Sequence, residues 1–180
     1  MTMARIHLTG ASCTGVSTLG RGLAAALGVA LVDVDDHYWL PTDPPFTTKR
    51  APAERLASVR AALPPEGWIM AGSFLGWGEA LIEEVSLVVF LTAPEEVRMA
   101  RLARREAERY GARIAPGGDM HAAHLAFAEW ARGYDRPGFE GRSRARHEAW
   151  LAGLSLPVLR LDGAEATERL VAQVEAALRR

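Results

Sequence analysis

Short apolar runs recur along the chain and are separated by longer stretches in which apolar residues have helical spacing. The short runs are rich in β-branched residues, and several end at glycine or aspartate, which is typical of strands. On this pattern we predict five strands, at residues 5–9, 30–34, 68–71, 87–91 and 157–161. The fourth run, LVVFL, contains no polar residue and therefore indicates a strand buried on both faces.

The intervening stretches predict helices. In residues 17–27, Leu19, Leu23 and Leu27 fall on one face, and Gly28 is suited to end the helix. Pro52 is suited to begin the next helix, because proline is favoured in a first helical turn. The other helices are predicted at residues 94–110, 121–132 and 142–151 and around residues 170–178.

The order of these elements predicts the fold class. Strands that alternate with helices form a parallel sheet, so we predict an α/β fold of three layers, with five parallel strands and helices on both faces. Extra helices between the fourth and fifth strands indicate a helical lid and insertion at about residues 99–152. No shift in composition divides the chain, so we predict a single domain over residues 1–180.

Composition narrows the functional classes. The chain has 180 residues, of which 49% are hydrophobic and 24% charged, and its formal net charge is -1. Such values are typical of a globular domain and give no support to general nucleic-acid binding. One cysteine, Cys13, cannot form an internal disulfide and suits a reducing compartment. No apolar run reaches the ~18 residues of a membrane span and no leader pattern precedes the first strand, so we expect a cytoplasmic protein without a membrane partner.

A loop rich in glycine and hydroxyl residues joins the first predicted strand to the first helix. Its backbone N–H groups and the N-terminus of the helix face one concavity, which suits a phosphate group. The spacing matches the P-loop pattern G-x-x-x-x-G-K-[ST] except that Val16 stands in place of the lysine. A strand–turn–helix corner without a ligand is the alternative, and the register of strand, loop and helix favours phosphate binding. The residues concerned are Gly10, Ala11, Ser12, Cys13, Thr14, Gly15, Val16, Ser17 and Thr18.

An acidic cluster follows the second predicted strand, at the sheet edge where α/β proteins bind ligands. In an extended segment, Asp33 and Asp35 point in the same direction and Asp36 points in the other. Two carboxylates near a phosphate loop can hold magnesium through water and accept the proton of an attacking hydroxyl. The alternative is that these carboxylates only end the strand and cap the turn that follows.

Taken together, these segments resemble the small P-loop kinases, the group of adenylate kinase and shikimate kinase, and in particular adenylate-kinase-related bacterial proteins of the topology-modulation type. The likeness extends over nearly the whole chain. Besides the glycine loop, it is carried by LVDVDDHYW from Leu31, GWIMAGS from Gly67, FLTAP from Phe90, RLARR from Arg101 and LDG from Leu161. The resemblance implies a P-loop NTPase fold and a phosphotransferase that moves the γ-phosphate of ATP to a small-molecule or nucleotide acceptor.

The resemblance also implies roles for individual residues. Residues 10–18 would wrap the phosphates of ATP, Ser17 and Asp33 would hold Mg²⁺, and Asp35 would face the acceptor. The arginine-rich helix would be the stem of a lid, with Arg101 and Arg105 placed so that one flanks the adenine and the other reaches the phosphates. On composition alone, an arginine-rich helix is better explained as a solvated face.

The acceptor would bind on the side of the second and third strands. In proteins of the resembling group, the segment after the third strand helps to bind the acceptor, and the start of the next helix binds an anionic one. Aromatic rings there can stack on a base or a sugar, although Trp39 and Trp77 are equally well explained as core residues. The residues expected on this side are Trp39, Phe46, Lys49, Arg50, Gly72, Ser73 and Trp77.

Val16 leaves the activity open. The lysine of a P-loop carries a positive charge to the outer phosphates, so its loss is also compatible with a nucleotide-binding module that has little or no turnover. For a working kinase we favour Arg105 as the replacement, because a guanidinium can bridge two phosphate oxygens. An RNA-associated P-loop protein is a third hypothesis, which rests only on the basic patch around Arg142, Arg144 and Arg146 and lacks a nucleic-acid motif. We expect a monomer or a weak dimer.

Overall fold

The computed structural model describes residues 4–179 of the chain. Its elements follow the predicted order, with the strands and helices interleaved. The five strands are β1 (Arg5–Gly10), β2 (Ala30–Asp33), β3 (Trp68–Ala71), β4 (Leu87–Thr92) and β5 (Val158–Asp162). The helices are α1 (Val16–Leu27), α2 (Val34–Tyr38), α3 (Pro52–Ala62), α4 (Glu95–Tyr110), α5 (His121–Arg132), α6 (Arg144–Ala152) and α7 (Thr167–Leu178). Short 3-10 helices lie at Glu79–Glu84, Gly111–Ile114 and Gly133–Asp135.

The strands form one sheet in the order β2-β3-β1-β4-β5, and all four neighbouring pairs are parallel. The predicted α/β fold with a five-stranded parallel sheet is therefore confirmed. Because all strands run the same way, their carboxyl ends meet at one edge, and both the glycine loop after β1 and Asp33 at the end of β2 lie on that edge.

Two apolar cores cover the two faces of the sheet, because successive side chains of a strand point to opposite faces. On β1, Ile6 and Leu8 pack with α1 and α7, whereas His7 lies on the opposite face and stacks on Phe74 at 4.2 Å between ring centroids. On β4, Val88 and Phe90 pack on that second face with residues of α3 and α6. Between β4 and β5, α4, α5 and α6 form the predicted insertion.

The end of β2 differs from the prediction. The strand stops at Asp33, and residues Val34–Tyr38 form the short helix α2 in place of continued extended chain. The carboxylate of Asp33 accepts the backbone N–H of Asp35 at 3.0 Å and so caps this helix. We expected strand alternation to direct Asp33 and Asp35 to one side. That argument is wrong, because Asp35 lies in the first turn of α2 and not in a strand.

Within residues 4–179, no helix combines the length and the apolar character that crossing a membrane would require.

Candidate active site

The glycine loop joins β1 to α1 as a tight turn with its own internal bonds. Thr14 donates its backbone N–H and its hydroxyl to the carbonyl of Ala11, at 3.3 and 2.9 Å. A Cβ on Gly10 would collide with the carbonyl oxygen of Leu91, and Gly15 has a φ of 103°, a backbone conformation that favours glycine. The two glycines are therefore required by the geometry of the loop.

The loop leaves the N-terminus of α1 open to an anion. Gly15 is the N-cap of the helix, no side chain caps it, and the first turn contains no acidic residue. The first N–H groups of a helix have no partner within the helix, and the helix dipole favours negative charge beside them. Ser17, in this first turn, presents its hydroxyl toward the end of β2, so that a phosphate at the N-terminus would have backbone donors and a hydroxyl beside it.

Arg101 of α4 braces the loop from behind. Its Nη1 donates to the carbonyl of Gly163 at 2.8 Å and to those of Cys13 and Thr14 at 3.4 Å each. The backbone of Gly163 presses against Thr14 so closely that a Cβ there would collide with the Thr14 carbonyl. The predicted residue Arg101 thus lies at the junction of the glycine loop and the turn after β5.

Arg105, one turn further along α4, is engaged within the insertion. Its Nη2 donates to Oε1 of the buried Glu106 at 3.1 Å, and its guanidinium lies 5.8 Å from the ring centroid of Phe127. Its positive charge still acts on the site, because it opposes the rise in the pKa of Asp35. It also opposes the rise in the pKa of the Cys13 thiol that burial causes. The structure therefore brings Arg105 near the loop but gives it a carboxylate partner.

Ser17 and Asp33 meet across the edge of the sheet. The Ser17 hydroxyl donates to Oδ2 of Asp33 at 3.3 Å, while the other carboxylate oxygen caps α2. Burial raises the pKa of Asp33, and burial together with the Asp33 charge raises the pKa of Asp35, although water still reaches the Asp35 side chain. The carboxylates predicted from the sequence are thus adjacent, with Asp33 facing the glycine loop.

The donors beside the loop fit magnesium. Mg²⁺ keeps several waters and is held by one or two protein oxygens together with substrate phosphates. The adjacent Ser17 hydroxyl and Asp33 carboxylate meet this requirement. No cluster of three or more His, Cys, Asp or Glu side chains that could hold a metal occurs in the part of the chain that the structure describes.

A cleft of about 720 Å³ opens beside α2 and the loop that follows it. Asp35, Trp39 and Arg50, all predicted on the acceptor side, line it, and so does Phe46. The rings of Trp39 and Phe46 meet at a centroid distance of 6.1 Å, and Phe46 is 45% exposed. The cleft therefore combines carboxylate, guanidinium and exposed aromatic surface.

The other acceptor-side residues lie outside this cleft. Lys49 is exposed and holds its Nζ 5.9 Å from the ring centroids of both Tyr38 and Trp39. Trp77 is half-buried and packs on the core between α3 and α6. Gly72 has a φ of 119°, and a Cβ there would come within 2.9 Å of the Val34 Cβ.

Ser73 belongs to a buried polar chain. Its Oγ lies 3.5 Å from Nε2 of His147, whose Nδ1 lies 2.8 Å from the hydroxyl of Tyr134. His147 is fully buried, and burial, together with the charges of Arg142 and Arg146, lowers its pKa to about 3. The imidazole is therefore neutral at physiological pH and links the segment after β3 to the insertion.

Sequence reasoning missed one contact of the loop. Nη2 of Arg142, which precedes α6, donates to Oγ of Ser12 at 2.9 Å, and its charge opposes the rise in the pKa of Asp35. In the sequence Arg142 appears only as part of a basic patch with Arg144 and Arg146. The contact spans 130 residues, and no local spacing signals it.

The insertion also contacts the acceptor side. Nη2 of Arg113, in the 3-10 helix after α4, lies 2.8 Å from Oδ1 of Asp43 and 2.7 Å from Oδ2 of Asp119. Asp43 lines the cleft described above. The predicted lid and the loop between α2 and α3 are thus joined by one arginine.

The comparisons with known proteins agree with this architecture. A family model described as AAA domain matches residues 6–123, which include the glycine loop, Asp33, Asp35 and α4. The uncharacterized protein YqaC of Bacillus subtilis (strain 168) is 44% identical over 158 residues, which are 87% of each chain.

Solved structures of sugar and shikimate kinases share the fold. A gluconokinase from Sinorhizobium meliloti 1021 is similar with a TM-score of 0.54 and 19% identity, over 98% of this chain and 92% of that one. A shikimate kinase from Bacteroides thetaiotaomicron is similar with a TM-score of 0.53 and 18% identity, over 98% of this chain and 99% of that one. At this identity the likeness concerns the fold.

Proposed function

Because the chain belongs to the AAA domain family and has the fold of the P-loop kinases, we propose that it is an ATP-dependent phosphotransferase. It binds ATP at the glycine loop and transfers the γ-phosphoryl group to a small molecule or a nucleotide held in the cleft beside α2.

One continuous line of contacts supports this proposal. The glycine loop ends in Ser17, whose hydroxyl contacts Asp33 at 3.3 Å, and Asp33 in turn accepts the backbone N–H of Asp35 at 3.0 Å. Asp35 lines the cleft. A phosphate group at the loop and a hydroxyl group in the cleft would therefore lie on either side of the same pair of carboxylates.

Each part of this line suits one task in phosphoryl transfer. The N–H groups of residues 10–18 bind the phosphates, and the open N-terminus of α1 favours their negative charge. The acceptor hydroxyl attacks the γ-phosphorus, the bond to the bridging oxygen breaks, and ADP leaves with that electron pair. Asp35 accepts the proton that the attacking hydroxyl loses.

Positive charge must balance the phosphates during transfer. Ser17 and Asp33 would hold Mg²⁺, which when bound neutralises charge on the phosphate oxygens. Arg101 holds the loop through its hydrogen bond to the carbonyl of Gly163. The charge of Arg105 opposes the rise in the pKa of both Cys13 and Asp35, so it acts at the phosphate site as well. These two arginines complete the catalytic group that we propose, together with Asp35.

The cleft on the acceptor side suits a molecule that has an apolar or planar part and a polar part. Trp39 and Phe46 offer ring faces, while Arg50 and the carboxylates of the cleft offer hydrogen bonds and charge. Lys49 lies beside the same rings, at the margin of the cleft. Ser73 and Gly72, at the end of β3, and the half-buried Trp77 would shape the site from behind.

A nucleotide-binding module with little or no turnover remains the second candidate. It is favoured by Val16, a side chain without charge at the position where a P-loop has lysine. Val16 is half-buried, with part of its side chain packed against the core between the sheet, α1 and α7, and it offers the phosphates no polar group.

Two measurements, made one after the other, test the proposal. Calorimetric titration with ATP and ADP in the presence of Mg²⁺ should show binding of both. A screen for ADP release, with nucleotides and small hydroxylated metabolites as acceptors, should then find acceptors that raise the rate above that of ATP alone. Binding without acceptor-dependent release would favour the binding module, and absence of binding would overturn both candidates.

A further inference from the structure

Arg142 is placed against the glycine loop by a closely packed part of the insertion. Its Nη2 donates to Oγ of Ser12 at 2.9 Å, and its guanidinium lies 5.2 Å from the ring centroid of Trp130. The residue before it, Gly141, has no room for a Cβ, which would lie 2.8 Å from Nε1 of Trp130 and would collide with Phe139. The residue after it, Ser143, is buried and caps α6. Arg142 is therefore held by the fold.

The charge of Arg142 has no ion-pair partner in the described part of the chain. No carboxylate within residues 4–179 forms an ion pair with it, and its Nε is buried without a hydrogen-bond partner. Three other arginines, in α4 and α6, differ, because Arg98 and Arg144 both pair with Asp135, and Arg105 pairs with Glu106. Burial lowers the pKa of Arg142 accordingly.

A half-buried cation without an ion-pair partner is costly for a folded protein. The cost is offset when an anionic ligand supplies the missing counterion. Here the guanidinium of Arg142 already contacts Ser12, in a loop whose N–H groups suit phosphate. Its charge also opposes the rise in the pKa of Asp35 on the acceptor side. The ligand that fits both features is a polyphosphate.

We propose that Arg142 contacts the outer phosphates of the bound nucleotide and supplies there the positive charge that a lysine at position 16 would provide. This inference rests on the proposed function, since it takes the glycine loop as the ATP site. It assigns the charge to a residue from the insertion in place of one from the loop itself, and it gives Arg142 precedence over Arg105, whose charge is already balanced by Glu106.

The test compares ATP affinity among four forms of the full chain. Arg142→Gln should weaken ATP binding by about ten- to a hundredfold, as expected for the loss of a charge-assisted hydrogen bond to phosphate. The double variant Arg142→Gln with Val16→Lys should recover most of that loss. The matched control is Arg146→Gln, an exposed arginine whose guanidinium donates to the carbonyls of Glu140 and Gly141, and it should bind ATP as the wild type does.

Thermal unfolding without nucleotide separates a ligand role from a structural one. Arg142→Gln should leave the melting temperature unchanged or raise it, because it removes a half-buried charge that has no ion-pair partner. A large fall in melting temperature, with an ATP affinity that Val16→Lys does not recover, would overturn the inference. Equal ATP affinity of Arg142→Gln and the wild type would also overturn it and leave the proposed function standing. Failure of the wild type itself to bind ATP would overturn both.

Discussion

The hydroxyl of Ser17 donates a 3.3 Å hydrogen bond to Oδ2 of Asp33, although the two residues lie on different elements and 16 positions apart. Ser17 lies in the first turn of α1 and Asp33 ends β2, so the contact joins the two elements that flank the proposed phosphate site. Both oxygens are of the kind that magnesium prefers.

Ser17→Ala should therefore remove the effect of magnesium on ATP binding. We expect the wild type to bind ATP more tightly with Mg²⁺ than with EDTA, and Ser17→Ala to bind it equally in both, because one of two protein oxygens for the metal is lost. Calorimetric titrations in the two buffers measure this. The exposed Ser155→Ala serves as the control and should keep the magnesium effect. A magnesium effect in Ser17→Ala as large as in the wild type would exclude Ser17 as a ligand.

Gly15→Ala should abolish nucleotide binding at a modest cost in stability. The φ of 103° is strained for alanine, which costs about 1–2 kcal/mol, but beyond its chain neighbours the nearest atom to the new Cβ is Nη1 of Arg101, at 3.8 Å. Gly28→Ala is the matched control, because Gly28 has a φ of 64°, open space around it and a place at the far end of α1. Urea unfolding should show similar losses of stability, and ATP titration should show lost binding only in Gly15→Ala. Equal ATP affinity in both variants would mean that the loop is only a turn.

Asp43→Asn should loosen the lid. The substitution removes the 2.8 Å ion pair with Arg113, and an exposed pair of this kind contributes little to stability. Hydrogen exchange of residues 106–119 should thus accelerate by about two- to fivefold. ATP should slow exchange of the same residues in the wild type, because a lid that closes over the phosphates shields its backbone from water.

The control for the lid is Glu148→Gln, which removes an ion pair with Arg160 that lies outside residues 106–119. It should leave exchange of residues 106–119 unchanged. Protection of this segment that neither ATP nor Asp43→Asn alters would contradict a lid that moves on binding.

Two buried histidines should make the fold sensitive to acid. The pKa values of His7 and His147 are lowered from 6.5 to about 3, in both cases chiefly by burial. Between these pH values the unfolded chain binds protons that the folded chain does not, so the free energy of unfolding falls as the pH drops below 6.5. At pH 5 each histidine should cost about 2 kcal/mol relative to neutral pH.

His147→Gln should remove one histidine's share of this acid sensitivity. The amide keeps hydrogen-bonding capacity toward Tyr134 and Ser73 but does not titrate. Urea unfolding at pH 7.5 and pH 5 should show that the loss of stability between the two is smaller by about 2 kcal/mol in the variant than in the wild type. Equal losses in the two proteins would mean that His147 is already protonated, or free to be protonated, in the folded state.

Local patterns in the sequence predict most of the fold. The apolar runs predict all five strands, because each is short, rich in β-branched residues and bounded by turn residues. The start of α5 at His121 and its end at Arg132 coincide with the prediction. The sequence pattern did not predict the helix at Val34–Tyr38. The Asp33 carboxylate caps this helix, and the cap stabilises the helix more than continued pairing would stabilise a longer strand.

Only part of the site is built from residues that are close together in the sequence. The glycine loop and its hydroxyl residues follow from one contiguous segment, so sequence alone predicts them as a candidate phosphate site. The contact of Arg142 with Ser12 and the ion pair of Arg113 with Asp43 depend on how the insertion folds back over the sheet. Such contacts between distant segments leave no periodicity in the sequence.

The most direct test of the proposed phosphotransferase follows the γ-phosphoryl group itself. ATP labelled at the γ-phosphate is incubated at saturating concentration with Mg²⁺, the wild type and a panel of acceptors. We expect the label to move to an acceptor, with Asp35→Asn slower by about a hundred- to ten-thousandfold while it still binds ATP. Label that stays in ATP, or appears only as inorganic phosphate with every acceptor while ATP remains bound, would contradict phosphoryl transfer and identify a nucleotide-binding module.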